Sequence, residues 1–413
     1  MNKKTSENSS SSMSIQMLAG IKPAVARVLE RALEEREISS EEAVLLFSAT
    51  GRELKVLVRV ADELRQRAVG DVVTYVTVRN INFTNICYTG CGFCAFARRL
   101  DDPDAQWLSL EEVADRAEQA WRAGATEVCM QGGLHPRMQG SHYRDLVLSV
   151  KERVPEMHVH AFSPFEIWYG SQRSGVSYAD FLSELKDAGL GSLPGTAAEI
   201  LDTEVRRQLT KNKLSAEQWV EIITTAHRLG IRTTSTIMYG HVDGPHHWAQ
   251  HIALLRDIQR DTGGFTEFVP LGFIHYKAPL YLDGLARPGP TVAENLRMHA
   301  VARIMLHSFI PNIQVSWVKM GLRIAQRCLQ GGANDFGGTL MEETISRSAG
   351  ADHGQYIRPR EFRRLIREIG RVPAQRNTLY ELLHVYNIRP EPAHPESNPG
   401  ALDASVSRVR IRA

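Results

Sequence analysis

From residue 72 onward, short apolar runs alternate with amphipathic helical stretches. That alternation constrains the fold more than any other feature of the chain. Parallel strands cannot be joined by a tight turn, so a strand–helix–strand rhythm builds parallel βαβ units. The runs read as strands are "VTVRNINFT", "TEVCMQ", "MHVHAFS", "GSLPG", "RTTSTIMYG", "FTEFVPL", "NIQVSW" and a short last one near "GGAND". Between them lie helical patterns such as "SLEEVADRAEQAWRAG" and "SAEQWVEIITTAHRLG"; the second ends on glycine, a common helix C-cap. Eight strands with helices between them predict an α/β fold, a (β/α)8 barrel of the TIM type. The last strand is the weakest, so a partly open barrel is the alternative.

The barrel is expected over residues 71–350. Ahead of it, residues 19–70 read as a helical segment. "KPAVARVLERALEER" carries apolar residues at helical spacing, and "SSEEAVLLF" opens with a serine cap followed by acids. A C-terminal helical segment is expected over 351–389, and polar flexible tails over 1–18 and 390–413.

A formal charge of +2 on 413 residues leaves no electrostatic footprint for nucleic acid or an anionic membrane. No apolar run approaches the roughly 18 residues of a membrane span. The N-terminus has lysines but no apolar stretch behind them, so it does not read as a secretory signal. Five cysteines, an odd and clustered set, do not form a disulfide framework. A reducing, cytoplasmic setting is expected.

Three of the five, Cys87, Cys91 and Cys94, follow the first strand in the spacing C-x3-C-x2-C. That loop lies at the C-terminal ends of the strands, the face where barrels carry their chemistry. Structural zinc wants four protein ligands, and a simple ferredoxin cluster wants four cysteines. Three predict a cluster with one iron left open. A zinc site completed by a distant histidine is the alternative. Cys129 lies within a strand and Cys328 within a helical pattern, so both read as small buried hydrophobes.

Alternation along the strands sorts side chains into an apolar set facing the helices and an inward set. In "MHVHAF" the inward residues are His158, His160 and Phe162; in "NIQVSW" they are Asn312, Gln314 and Ser316. In "TEVCMQ" they are Glu127, Cys129 and Gln131, and in "RNINFT" Asn80, Asn82 and Thr84. Barrel interiors are usually layered with Val, Ile and Leu. So much inward polarity fits a cavity for a polar substrate or a self-satisfied hydrogen-bond network. Tyr239, His241, Asn334 and Asp335 lie at later strand ends and join the candidates on position alone.

C-x3-C-x2-C on the first loop of such a barrel resembles the radical S-adenosylmethionine (SAM) superfamily. The resemblance implies that Cys87, Cys91 and Cys94 hold three irons of a 4Fe-4S cluster. The amine and carboxylate of SAM chelate the fourth, and reductive cleavage yields a 5'-deoxyadenosyl radical. It implies that Phe93 lies near the adenine, Gly132 and Gly133 near the methionine amine, and Glu199 near the ribose. Arg206 or Arg207 would reach the methionine carboxylate.

"RNINFTNICYTGCGFCAFARR", "GATEVCMQGG", "VHAFSPFEI", "PGTAAEILDTEVR", "TSTIMYGHVDGP", "GGFTEFVPL" and "GGANDFGGTLMEETISRSAG" carry a narrower resemblance. Over about residues 70–380 the chain is similar to the tyrosine-using half of deazaflavin (FO) synthase. That family transfers the 4-hydroxybenzyl group of L-tyrosine to 5-amino-6-(D-ribitylamino)uracil, releasing iminoacetate. The resemblance implies a reducing electron-donor protein. With one cysteine motif in the chain, it also implies a separate radical SAM partner enzyme for ring closure. On this reading His160, Tyr239 and His241 are the catalytic candidates. Asn82, Gln131, His158, Gln314, Ser316 and Asn334 are the substrate contacts. The alternatives are a radical SAM enzyme of the futalosine route to menaquinone and a non-enzymatic metal-binding scaffold.

Overall fold

The computed structural model describes residues 18–388, so the tails expected over 1–18 and 390–413 lie, Leu18 apart, outside the described residues. Three helices, Pro23–Leu33, Ser40–Phe47 and Gly51–Val69, come first. Ser39 starts the second with a capping box: its side chain accepts from the Glu42 N–H, and Glu42 reaches back to the Ser39 N–H. The second and third pack on the outside of the barrel, against helices Pro245–Thr262 and Val292–Leu306, and the first packs on the second and third. Arg297 ties the layers together by donating to the Phe47 carbonyl at 3.1 Å.

The barrel is built from β1 (Val72–Val76), β2 (Val78–Ile81), β3 (Glu127–Met130), β4 (His158–Ala161), β5 (Leu190–Leu193), β6 (Arg232–Tyr239), β7 (Phe265–Gly272) and β8 (Asp335–Gly338). Strands β2 to β7 pair in sequence order, all in parallel. Single bridges, Phe268 to Ile313 and Gln314 to Asp335, carry the wall from β7 to β8. β8 pairs with β1, which runs on into β2. The ring therefore closes, with its thinnest point at Ile313 and Gln314.

Three local expectations change. The first predicted strand is two, broken at Thr77. "NIQVSW" contributes only those two bridges before helix Trp317–Met320 begins. The eighth strand is "DFGG" rather than "GGAND". The segment expected to be helical over 351–389 holds helix Pro359–Glu368 and then two strands, β9 (Val372–Arg376) and β10 (Leu382–Val385). β9 pairs with β1 in parallel, and β10 with β9 antiparallel. "VPAQR" carries a proline and no apolar alternation, so its strand comes from the open edge of β1 rather than from its own pattern.

The helix-facing residues Ile81, Phe83, Val128, Met130, Val159 and Ala161 are fully buried. Burial of a large aliphatic side chain contributes roughly 1.5–3 kcal/mol. Phe162 breaks the alternation. Its φ of +64° turns the chain, and its ring packs 4.8 Å from Tyr143 and 6.0 Å from Phe83 on the helix side instead of facing inward. Among the described residues no helix is long and apolar enough to cross a membrane.

Candidate active site

A cavity of about 440 Å³ fills the barrel, with Cys87, Cys91 and Cys94 in its wall. Their loop is pinned from several sides. The Cys87 N–H donates to Arg98 O at 2.9 Å, the Gly92 N–H to Leu209 O at 2.9 Å, and the Leu280 N–H to Gly92 O at 2.7 Å. The Thr89 hydroxyl lies 3.1 Å from the Cys87 sulfur and 3.5 Å from that of Cys91. Burial pushes the Cys94 thiol up from its ordinary value. Gly132 and Gly133 line the same region. A Cβ on Gly133 would meet Ile86 O at 2.3 Å and the Cys87 Cβ at 2.9 Å, so this glycine lets the loop after β3 lie against the cysteine loop. The Gly132 N–H donates to Glu166 at 2.9 Å.

Across the cavity wall stand Phe93, Glu199 and Lys213. Lys213 Nζ is 2.7 Å from one Glu199 oxygen and 4.9 Å above the Phe93 ring. The other Glu199 oxygen, Oε2, is buried without a hydrogen-bond partner. That oxygen keeps only a longer ion pair, 3.9 Å from the Arg206 guanidinium, so a ligand hydroxyl there would supply the missing hydrogen bond, whose absence costs on the order of 1–3 kcal/mol. Three soft thiols on a pinned loop suit an iron–sulfur cluster. Among the described residues no three His, Cys, Asp or Glu side chains converge on a point as a single ion would require. A cluster takes one thiolate per iron and needs no such convergence. The residues present therefore fit a cluster with SAM beside it.

Arg206 is buried but does not line the cavity. Its guanidinium donates to Ala198 O and Leu214 O, both at 2.6 Å, and holds the loop that carries Glu199. Arg207 is exposed and paired with Glu204.

Deeper in, the wall is polar: Gln131, His160, Gln314 and Ser316 all line it, and so does Cys129. Cys129, expected to be a packing residue, thus faces the cavity with its thiol pushed up to about 12 by burial. Gln131 accepts from the Thr196 hydroxyl at 3.0 Å, and Gln314 donates to Glu267 at 2.9 Å. The floor comes from the end of β9 and the residues after it. Arg376 forks onto Asp335, the Thr378 hydroxyl donates to Glu127 at 2.6 Å, and the Tyr380 hydroxyl donates to Glu267. Burial holds Glu166 and Glu267 up at about 7. It holds the His160 imidazole down at about 3 and that of His158 at about 4.

Five more of the expected site residues lie off the cavity. Asn82 donates to the Thr344 hydroxyl at 2.6 Å. His158 lies behind His160, bonded to Ser192. Asn334 accepts from Arg303 at 2.9 Å and from the Ile313 N–H at 2.8 Å. The Tyr239 hydroxyl reaches Asn295 at 2.5 Å, on the helix side of β6. His241 lies 2.9 Å from Met238 O, inside its own turn. The residues that β6 presents to the cavity are Thr234, Thr236 and Met238. The sequence reading missed Glu166, Lys213, Lys319, Arg376 and Thr378, all in the cavity wall. Only Glu166 carried a local signal, the capping box of "SPFE".

Residues 81–255 match the radical SAM superfamily, and residues 262–388 match the CofH/MqnC C-terminal region. The chain is 58% identical over 343 residues to the FO synthase of Streptomyces avermitilis, covering 83% of this chain and 40% of that protein. It is 51% identical over 360 residues to the 5-amino-6-(D-ribitylamino)uracil–L-tyrosine 4-hydroxyphenyl transferase of Methanothermobacter thermautotrophicus. That match covers 87% of this chain and 98% of that protein. The chain thus spans about 40% of the length of the FO synthases it matches and nearly all of the archaeal protein. Among solved structures, methylornithine synthase superposes with a TM-score of 0.66 at 19% identity, over 84% of this chain and 97% of that one. The FeFe-hydrogenase maturase HydG from Carboxydothermus hydrogenoformans gives 0.66 at 15%, over 91% and 85%. These two speak to the fold alone. The cysteine loop, the closed parallel barrel and the near full-length likeness lead to one conclusion: the chain belongs to the radical SAM superfamily, in the family of the 5-amino-6-(D-ribitylamino)uracil–L-tyrosine 4-hydroxyphenyl transferases.

Proposed function

We propose that this chain joins the 4-hydroxybenzyl group of L-tyrosine to 5-amino-6-(D-ribitylamino)uracil, a step toward the deazaflavin FO chromophore of coenzyme F-420. The observation that carries the reading is a single cavity with three thiols in one wall and a hydrogen-bonding interior. Its volume, about 440 Å³, lies in the range of small-molecule sites. The 51% identity to the archaeal transferase supports the choice of substrates.

On this reading Cys87, Cys91 and Cys94 hold the 4Fe-4S cluster, while Phe93, Gly133 and Glu199 hold SAM. Bound together, the cluster and SAM supply a 5'-deoxyadenosyl radical. The chain's task is then to bind, orient and exclude. Apolar wall residues such as Val269, Leu271 and Phe165 keep water from a radical that would attack almost any C–H bond. Lys319, half-buried in the cavity wall and 3.1 Å from Ser346, offers a hydrogen-bond donor to the tyrosine carboxylate, whose charge would offset the desolvation that lowers the lysine's pKa. Gln131, Gln314 and Ser316 offer donors and acceptors to the uracil and its polyol. His160 lines the cavity and is kept neutral by burial, so its imidazole would pass a proton on rather than hold one.

A reducing protein in the cytoplasm would supply electrons. A second radical SAM enzyme would close the ring, since this chain carries one such cysteine motif. The test is an anaerobic incubation of the reconstituted protein with SAM, reductant, tyrosine and the ribitylaminouracil, read by mass spectrometry. Formation of the 4-hydroxybenzyl adduct only when both substrates are present supports the reading. Consumption of a futalosine-route substrate with tyrosine ignored would overturn it.

A further inference from the structure

His158 and His160 are two residues apart on β4, so their rings share a face. The partner strand is irregular at that point. Val159 pairs with Leu190 but His160 pairs with Ser192, which leaves Gly191 as an extra residue in β5. Such a bulge re-aims the side chain beside it. A Cβ on Gly191 would lie 2.5 Å from the His158 ring, so the glycine also makes room for the imidazole. As a result the Ser192 hydroxyl sits 2.7 Å from Nε2 of His158 and 2.7 Å from Nδ1 of His160. His160 lines the cavity. His158, the first residue of β4, is half-buried at the N-terminal end of the barrel.

We propose that His160, Ser192 and His158 form a proton relay from the cavity along the inner face of β4 to the N-terminal end of the barrel. The identity of the proton donor in the cavity rests on the transfer reaction proposed above; the relay itself does not. A serine hydroxyl has one proton, so it donates to one ring and accepts from the other. The tautomers of the two imidazoles are thereby coupled. When Nε2 of His160 accepts a proton from substrate, its Nδ1 proton passes to the serine oxygen. The serine proton passes to Nε2 of His158, and Nδ1 of His158 releases its own to water at the N-terminal end, where that ring is half-buried. One proton enters and one leaves; only O–H and N–H bonds change, and no electron moves. Afterwards His160 presents a donor to the cavity where it had presented an acceptor.

The charged groups around the relay are Glu127 on β3, Arg376 on β9 and Lys151 on helix Ser141–Arg153. Glu127 is held by the Thr378 hydroxyl, and Lys151 by Met157 O at 3.0 Å. Burial keeps both rings neutral near pH 7, so neither stores the proton it passes.

The test uses the reconstituted full chain with Ser192→Ala and with His158→Gln. The glutamine keeps a hydrogen-bonding group near Ser192 but cannot pass a proton. Iron content and melting temperature control for folding. Adduct formation should slow by about 100-fold or more in both. The solvent-deuterium proton inventory should go from bowed in the wild type to linear in the variants. A second readout needs no turnover: imidazole 15N spectra of the resting SAM-bound protein should show two neutral, linked tautomers that Ser192→Ala uncouples. If the wild type makes no adduct, the proposed transfer fails while the spectra still judge the relay. Wild-type rates with an unchanged inventory in both variants, or spectra untouched by Ser192→Ala, would overturn it.

Discussion

Arg376→Met tests whether the end of β9 and the residues after it are an integral floor of the barrel. The guanidinium lies 2.5 Å and 3.1 Å from the two oxygens of Asp335, and 3.6 Å from Glu267. It also stacks 3.9 Å from the centre of the Tyr380 ring. Arg376 and Asp335 are 2% and 0% exposed, so water screens none of this. Methionine fills much of the volume but leaves two carboxylates without their cation. Breaking a buried pair in this way costs about 3–5 kcal/mol. At about 2.1 cal/mol/K of unfolding entropy per residue over the roughly 370 described residues, the melting temperature should fall by about 4–6 °C. The assay is scanning calorimetry at one heating rate on protein of matched iron content. Adding Asp335→Asn removes one stranded charge, so the double variant should melt above Arg376→Met alone. A single variant within 1 °C of wild type, or strictly additive losses, would refute a charge-paired floor.

Replacing Cys87, Cys91 or Cys94 by alanine should abolish the brown chromophore and SAM cleavage, whereas Cys328→Ala, in the packed core, should keep both; optical spectra and 5'-deoxyadenosine yield decide. Gly133→Ala drives a Cβ into Ile86 O, so iron loading should drop sharply while circular dichroism stays native; full loading would show that the loop yields easily. Glu199→Gln should weaken SAM binding about 10-fold or more, the worth of a charged hydrogen bond, as read by calorimetric titration of the resting protein. The pH dependence of stability has a defined sign. His158, His160, His227, His251 and His299 are held by burial at about 3 to 4, so the unfolded chain takes up protons below about 6.5 that the folded one refuses. Glu166 and Glu267, held at about 7, oppose this, because the folded chain keeps protons that the unfolded one sheds above about 4.5. Five outweigh two, so the melting temperature should rise with pH between about 4.5 and 6.5; a fall across that window would refute the burial of the imidazoles.

The sequence by itself determined whatever is local. Three thiols on one loop point to a soft-metal site before any fold is known. Period-two alternation placed Glu127, Cys129, Gln131, His160, Gln314 and Ser316 in the cavity wall, because a strand between helices and an interior must put its apolar face outward. The serine cap ahead of acids in "SSEEAVLLF" marked a helix start, and the structure has it at Ser39. Position at a strand end was a poorer guide. Tyr239 sits on the outward phase of β6, and His241 folds back into its own turn. Phe162 could not be placed by alternation, since its left-handed backbone reverses the phase.

The tertiary structure alone decided which distant groups meet. Arg376 finds Asp335 and Glu267 only because β9 takes the open edge of β1. Lys213 meets Glu199 only because the loop that Arg206 ties down brings them face to face. Ser192 stands between two histidines only because β5 slips by one residue at Gly191. Pairing of this kind depends on register and closure. Neither leaves a periodic trace in the chain, because one residue of slip moves a side chain to the other face without changing a letter of the sequence.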